Sequence, residues 1–195
     1  MYALLLVLAV TPNPCTVRIN VADLSGTGSS GTGALVGNIV LTANHVVQDR
    51  KENTVLVTFP NGRVVEGTIL KIDAKQDLAA IQIPATGITP LKVGEMPADG
   101  DRLSIEGYGG GKFAACTGIL DPKKFGKEGP TWRKINGCQA RSGDSGGPVL
   151  NEAGEFVGVL WGSTKGETFF TAIDIVRDFM PVIKPPTPPT PYIIW

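Results

Sequence analysis

The chain has 195 residues, 42% of them hydrophobic, which is enough apolar content for a packed core spread over one or two domains. Eighteen Lys and Arg balance 18 Asp and Glu, so the formal charge is zero, and without a surplus of cations the composition argues against binding to nucleic acid or an anionic membrane. Twenty-five glycines and 15 prolines argue against a helical bundle and suit an all-β fold with many tight turns.

In chain order, the first feature is the apolar run Ala3 to Val10 (ALLLVLAV). It is far short of the ~20 residues that span a bilayer as a helix. Its length fits the centre of a secretory signal, although no Lys or Arg precedes it and no clean small-x-small cleavage site follows. The alternative is a segment packed on the domain. Thr16–Val21, Gly33–Thr42, Thr54–Phe59, Val64–Ile69 and Leu78–Ile83 then read as strands. Pro60-Asn61-Gly62 predicts a hairpin turn, because Asn-Gly accepts positive φ angles. Gly26 to Gly33 (GTGSSGTG) reads as a flexible loop and not a phosphate cradle, since no Lys and no helical pattern follow it.

Gly87–Gly100, with Pro90 and Pro97, predicts a connection between two halves. A second set of strands follows: Arg102–Gly107, Lys112–Leu120, Trp132–Cys138, Pro148–Leu150, Phe156–Trp161 and Thr168–Ile173, with Asp121–Pro130 as a charged loop of low order. Ala172, Ile175, Val176, Phe179 and Met180 fall at helical spacing, and Pro181 stops the pattern. Two groups of about six strands with a terminal helix predict a pair of β-barrels. The expected division is an N-terminal segment over 1–15, a first barrel over 16–88, a linker over 89–101, a second barrel with its helix over 102–184, and a tail over 185–195. That tail, from the PPTPPTP run onward, suits an extended polyproline II strut. It carries an apolar tip, Tyr192, Ile193, Ile194 and Trp195, as a surface for docking a partner or the body of the protein.

Three cysteines and no C-x-x-C pair leave neither a zinc knuckle nor a thioredoxin-type motif. Cys116 and Cys138 lie in strand-like runs of the same half and form the expected disulfide, with two buried thiols as the alternative. Closing that loop would stabilise by about 3 kcal/mol on the chain-entropy model. Cys15 is left over.

The chemistry centres on one histidine, His45, in LTANHVV just after a strand-like run. With no second imidazole there is no His-rich metal site, and a lone His is often structural. Gly143-Asp-Ser-Gly-Gly-Pro148 changes its meaning. The glycines leave the Ser145 hydroxyl uncrowded and let the loop aim successive N–H groups, here those of Gly143 and Ser145, at a developing oxyanion. A serine hydroxyl needs a base, and the base needs an anion on its other nitrogen. Asp49, Asp73 and Asp77 all compete for that place, and local reasoning prefers none of them.

His45 within TANHVV, Asp77 within DLAAI and Ser145 within GDSGGP, in that order, resemble the chymotrypsin/trypsin-like serine peptidases. The phrases ALVGNIVLTANHVV and DAKQDLAAIQI are most similar to short bacterial and viral members and to the protease domain of the HtrA group. The resemblance covers about residues 16–180. It implies two six-stranded antiparallel barrels with a triad in the cleft between them, and it selects Asp77. It also implies a primary pocket based near Gln139 and Ala140, an opposite wall at Leu160, Trp161, Gly162 and Ser163, and Thr168 closing the pocket. Trp161 serves equally well as core packing. Neutral Gln139 argues against a preference for Arg or Lys, and a neutral, moderately sized substrate side chain is expected.

Two departures stand out. No Ile-Val-Gly-Gly segment with an activation site appears near the start, yet Asp144 occupies the position that in the trypsin group pairs with a freed amine. A processed terminus, Arg141 or another cation could answer it, or Asp144 could hydrogen-bond within its loop. No PDZ-like stretch follows residue 180, so HtrA-type trimer regulation is not expected. The expected function is that of a serine endopeptidase without metal or organic cofactor, secreted or periplasmic. The alternatives are a protease-fold peptide-binding module and a self-cleaving assembly protein.

Overall fold

Alternation decides the first strand. In β1 (Thr16–Val21) Val17, Ile19 and Val21 face inward and are buried, while Arg18 and Asn20 are half-exposed. In the computed structural model, which describes residues 11–22, 28–125 and 132–180, β1 opens a closed six-stranded antiparallel barrel with β2 (Ser29–Val36), β3 (Ile39–Thr42), β4 (Thr54–Thr58), β5 (Val64–Asp73) and β6 (Leu78–Gln82). Closure joins β1 to both β2 and β4, which leaves no open edge. One helical turn, α1 (Asn44–Val47), follows β3 and precedes β4 in the chain.

The second barrel closes in the order β10-β11-β12-β9-β8-β7, from β7 (Arg102–Gly107), β8 (Ala114–Phe125), β9 (Trp132–Asn136), β10 (Pro148–Leu150), β11 (Phe156–Thr164) and β12 (Glu167–Ala172). Helix α2 (Ile173–Phe179) follows and buries Ile173, Val176 and Phe179. These three pack into the core of the first barrel, and Lys71 donates to the Phe179 carbonyl at 2.8 Å. A helix from the end of the chain therefore clamps the first barrel against the second.

The expected all-β pair of barrels with a C-terminal helix is the observed fold. Pro60-Asn61-Gly62 turns between β4 and β5, with Gly62 at φ 84° and its N–H bonded to the Phe59 carbonyl. Cys116 and Cys138 form the disulfide, with Cα atoms 5.6 Å apart, and Cys15 is free and buried. Such a bond fits an oxidising compartment. Among the described residues no helix is long and apolar enough to cross a membrane.

Three expectations are corrected. The run Gly33–Thr42 is two strands, because Gly37 at φ 61° turns the chain back on itself. The expected flexible loop Gly26 to Gly33 is, from Ser29 on, the start of β2. A Cβ at Gly31 would collide with Val46, and one at Gly33 with Val40 and Ile19, so the glycines permit close packing instead of freedom. The expected charged loop from Asp121 is strand as far as Phe125, after a bulge between Leu120 and Lys124. The Asp121 carboxylate is satisfied there by Asn136 and Lys134 of β9. The Ala3 to Val10 run and the tail with its Tyr192–Trp195 tip lie outside the described residues.

Candidate active site

The site begins with an unusual aspartate. Asp77, just before β6, sits at φ 53°, a left-handed conformation uncommon outside glycine. In that conformation its carbonyl accepts the Asn44 N–H at 3.1 Å and its Oδ1 accepts the His45 N–H at 2.8 Å. These are the first amides of α1, whose own N-cap residue Ala43 supplies no side-chain bond. Asp77 thus caps α1 from a different loop. Its second oxygen, Oδ2, lies 2.7 Å from His45 Nδ1. One buried carboxylate fixes both the backbone and the ring of His45.

The rival carboxylates do not reach that nitrogen. Asp73 Oδ1 accepts the N–H groups of Lys75 and Gln76 in its own turn, and Asp49 is exposed just past the end of α1. His45 stands in a cleft of about 710 Å³ whose lining also includes Asp77, Ser145, Ala140, Arg141, Trp161 and Gly162. Its ring meets Trp161 edge-on at 6.4 Å, and Trp161 stacks at 4.7 Å on Trp132. Trp161 therefore lines the cleft and packs a small aromatic core with Trp132 and Phe169 at the same time.

Ser145 arrives from the second barrel, on the loop between β9 and β10. Accounting for the peptide groups of that loop shows how it is held. Carbonyls of Arg141, Ser142 and Asp144 accept from Asp144, Gly110 and Gly147, and that of Gly147 accepts from Leu160. The Gly143 carbonyl accepts the Thr32 hydroxyl at 2.8 Å, and the Ser145 carbonyl accepts the Thr32 N–H at 2.9 Å. Gly146 donates to Leu160 at 2.7 Å. The half-buried N–H groups of Gly143 and Ser145 donate to nothing among the described residues, so this loop offers two fixed, free donors beside one hydroxyl.

Glycine is required at one point in particular. Gly146 has φ 84°, and a Cβ there would fall within 3 Å of Thr42 Oγ1, the Thr32 carbonyl and the Ala43 nitrogen, all parts of the first barrel. The loop is seated against β2 and β3 at backbone distance. Asp144, with its side chain 5% exposed, accepts from Gly109 N–H at 2.7 Å and from Arg141. Arg141 is thus the cation that faces Asp144.

The remaining expected pocket residues divide. Ala140, Trp161 and Gly162 line the cleft with Ser163. Gln139 is exposed and outside that lining. Leu160 is fully buried, and its backbone bonds hold Gly146 and Gly147. Thr168 is also buried. It accepts the Ala140 N–H at 3.0 Å and donates to the Cys138 carbonyl at 2.7 Å, which braces the segment leading into the loop. Sequence reasoning missed Thr32, Trp132 and Gly109. For Gly109 the Gly109–Gly111 run was a usable signal. Thr32 stood inside a stretch read as loop, and nothing local marked Trp132.

Residues 26–159 match the family model described as a trypsin-like peptidase domain. The mitochondrial serine protease HTRA2 of Drosophila pseudoobscura pseudoobscura is 29% identical over 172 residues, covering 79% of this chain and 39% of the relative, and that of Drosophila grimshawi gives the same figures. The chain thus spans about two fifths of the length of these curated relatives. Among solved structures, the inactive form of the Rv3671c protease of M. tuberculosis superposes with a TM-score of 0.72 at 25% identity, covering 85% of this chain and 87% of the other. The HtrA-type protease AlgW with a tripeptide gives 0.75 at 19%, covering 85% and 58%, a likeness of fold alone.

Proposed function

The chain belongs to the trypsin-like peptidase family, and on that premise we propose that it is a serine endopeptidase in which Ser145 attacks the peptide carbonyl. His45 takes the hydroxyl proton and later gives it to the leaving amine. Asp77 holds the ring so that Nδ1 carries its hydrogen toward Oδ2 and Nε2 is free to act as base. The tetrahedral oxyanion is received by the N–H groups of Gly143 and Ser145. The observation that carries this reading is the clasp of Asp77 on both the amide and the ring of His45, in the same cleft as Ser145.

The substrate is a polypeptide with a neutral side chain before the scissile bond. Asp77 is the sole carboxylate in the cleft lining among the described residues, and His45 occupies it. A cationic side chain would therefore enter without a counter-charge, while Ala140, Gly162 and Ser163 leave room for a modest neutral one. Thr168 acts by bracing the segment behind the pocket. The disulfide supports work in a secreted or periplasmic setting.

The test is covalent. A fluorophosphonate should label Ser145 in the wild-type chain, and Ser145→Ala should lose both labelling and hydrolysis of fluorescent casein by several orders of magnitude while keeping its circular dichroism. Equal casein hydrolysis by the two proteins would end the proposal. Cleavage confined to the chain's own termini would favour the self-processing alternative.

A further inference from the structure

The walls of the cleft carry their charges unevenly. The second barrel contributes Arg141, whose guanidinium is engaged: Nε and a terminal nitrogen bond the two Asp144 oxygens at 3.0 and 2.8 Å, and the same terminal nitrogen reaches the carbonyls of Gly107 and Lys112. The first barrel contributes Asn44, His45, Gln48, Ala74, Lys75 and Asp77. Asp77 is held by the amide and the ring of His45. Lys75 differs from these groups. It is exposed, and among the described residues no carboxylate forms an ion pair with its ammonium.

The backbone beneath that ammonium is fixed. The N–H groups of Lys75 and Gln76 both donate to Asp73 Oδ1 at 2.9 Å, and two residues beyond Lys75 the Asp77 carboxylate ties the same loop to α1. These bonds turn the neighbouring Asp73 carboxylate into its own loop and set the base of the lysine on the wall that also carries His45. Ala74, with only a methyl group, adds little bulk there.

We propose that Lys75 is a specificity-determining residue that draws an acidic side chain of the substrate against the first-barrel wall. The preferred polypeptide thus carries Asp or Glu near the scissile bond, apart from the neutral residue received by Ala140, Gly162 and Ser163. The inference deepens the endopeptidase reading and rests on it. An ammonium in open water discriminates weakly, but a bound substrate displaces water from a cleft partly walled by Trp161 and so strengthens the pairing. A cationic side chain at the same place meets a like charge, so repulsion sharpens the choice. Arg141 is unsuited to this part, because turning to a second carboxylate would leave Asp144, 5% exposed, buried without its partner.

Cleavage sites in casein, read by mass spectrometry, supply a parent peptide for the test. Glu and Gln are placed in turn at each position flanking the cut, and kcat/KM is measured for each pair. At one position or two neighbouring ones Glu should exceed Gln by about 3–5-fold, the upper end for an exposed ion pair. Lys75→Gln should bring that ratio to within about 1.5-fold of one. Lys75→Glu should reverse it and favour Lys over Gln at that position, and high salt should shrink it in wild type. Lys51 is exposed and outside the lining, and Lys51→Gln should leave the ratio unchanged.

Equal rates for Glu and Gln at every position in wild type, or a Glu preference that survives Lys75→Gln, would overturn the proposal. Should Lys75→Gln fail to fold by circular dichroism, Lys75→Met and the salt dependence of wild type decide by the same ratio. Failure of wild type to hydrolyse any peptide would instead remove the peptidase reading beneath it.

Discussion

Exchange of one oxygen for an NH2 group in Asp77→Asn tests the proposed division of labour most sharply. The substituted side chain keeps a carbonyl oxygen to accept the His45 N–H, now 2.8 Å away, and its main-chain carbonyl still accepts Asn44 at 3.1 Å. Asparagine tolerates the φ of 53° as readily as aspartate, so the backbone has no reason to move. What changes is the atom 2.7 Å from Nδ1. An amide NH2 there faces the ring as a donor, and the ring answers by carrying its hydrogen on Nε2, where it can no longer accept the serine proton. A wrong tautomer with intact geometry lowers kcat by about 10⁴, or ~5.4 kcal/mol at 1.36 kcal/mol per decade. Stability should move by only about 1–2 kcal/mol, since one charge-assisted bond is weakened and none is orphaned. Asp77→Ala should also lose the surrogate cap of α1, a further ~1 kcal/mol. Casein hydrolysis and fluorophosphonate labelling read the rate, and urea unfolding reads the stability. An Asp77→Asn protein that retains a tenth of the wild-type rate would refute the assignment of Asp77 as the group that sets the ring.

Other outcomes follow from the same structure. Thr32→Val is close to isosteric and removes the hydroxyl that serves the Gly143 carbonyl and accepts the Tyr108 N–H at 2.9 Å; labelling at Ser145 should slow by about 10-fold or more while far-ultraviolet circular dichroism stays unchanged. Gly146→Ala forces a Cβ into the backbone of the first barrel and should lower Tm by several degrees and abolish labelling, as read by thermal melts and mass spectrometry. Asp121 is held well below its ordinary range, at about 2, chiefly by the Asn136 amide, then by the Lys123 N–H and Lys134. A carboxylate with a lowered folded pKa contributes stability that is present above its unfolded value of 3.8 and lost as pH falls toward 2. Asp121→Asn should therefore flatten the fall of Tm across that window, and an unchanged slope would refute the assignment.

What the sequence disclosed and what it concealed divide along one physical line. β1, β7 and β10 begin and end where alternation and β-branched content put them, because those signals are local. The start of β2 was hidden, since Ser29 to Gly33 is strand only by virtue of Val46, Val40 and Ile19 pressing on glycines from elsewhere in the chain. The end of β8 was hidden for a similar reason: Asp121 reads as solvent-facing charge until Asn136 and Lys134 stand across from it. In the candidate site, Ser145 and His45 were conspicuous because their neighbours in sequence are their neighbours in space. Choosing among Asp49, Asp73 and Asp77 required a long-range contact, and residue patterns alone do not carry one. Thr32 left no local mark, since its role depends on two bonds to residues more than a hundred positions away.

Thr32 also has a bearing on how the molecule comes to exist. Strand β2 of the first barrel supplies the fastening for the β9–β10 loop of the second, so on the proposed reading a severed first half would hold an imidazole with nothing to activate, and an isolated second half an alcohol on an unbuttressed turn. Neither fragment would then hydrolyse peptide bonds. The capacity to cut would depend on the docking of the two halves and vanish with their parting, which makes hydrolytic output a direct gauge of the seam between them.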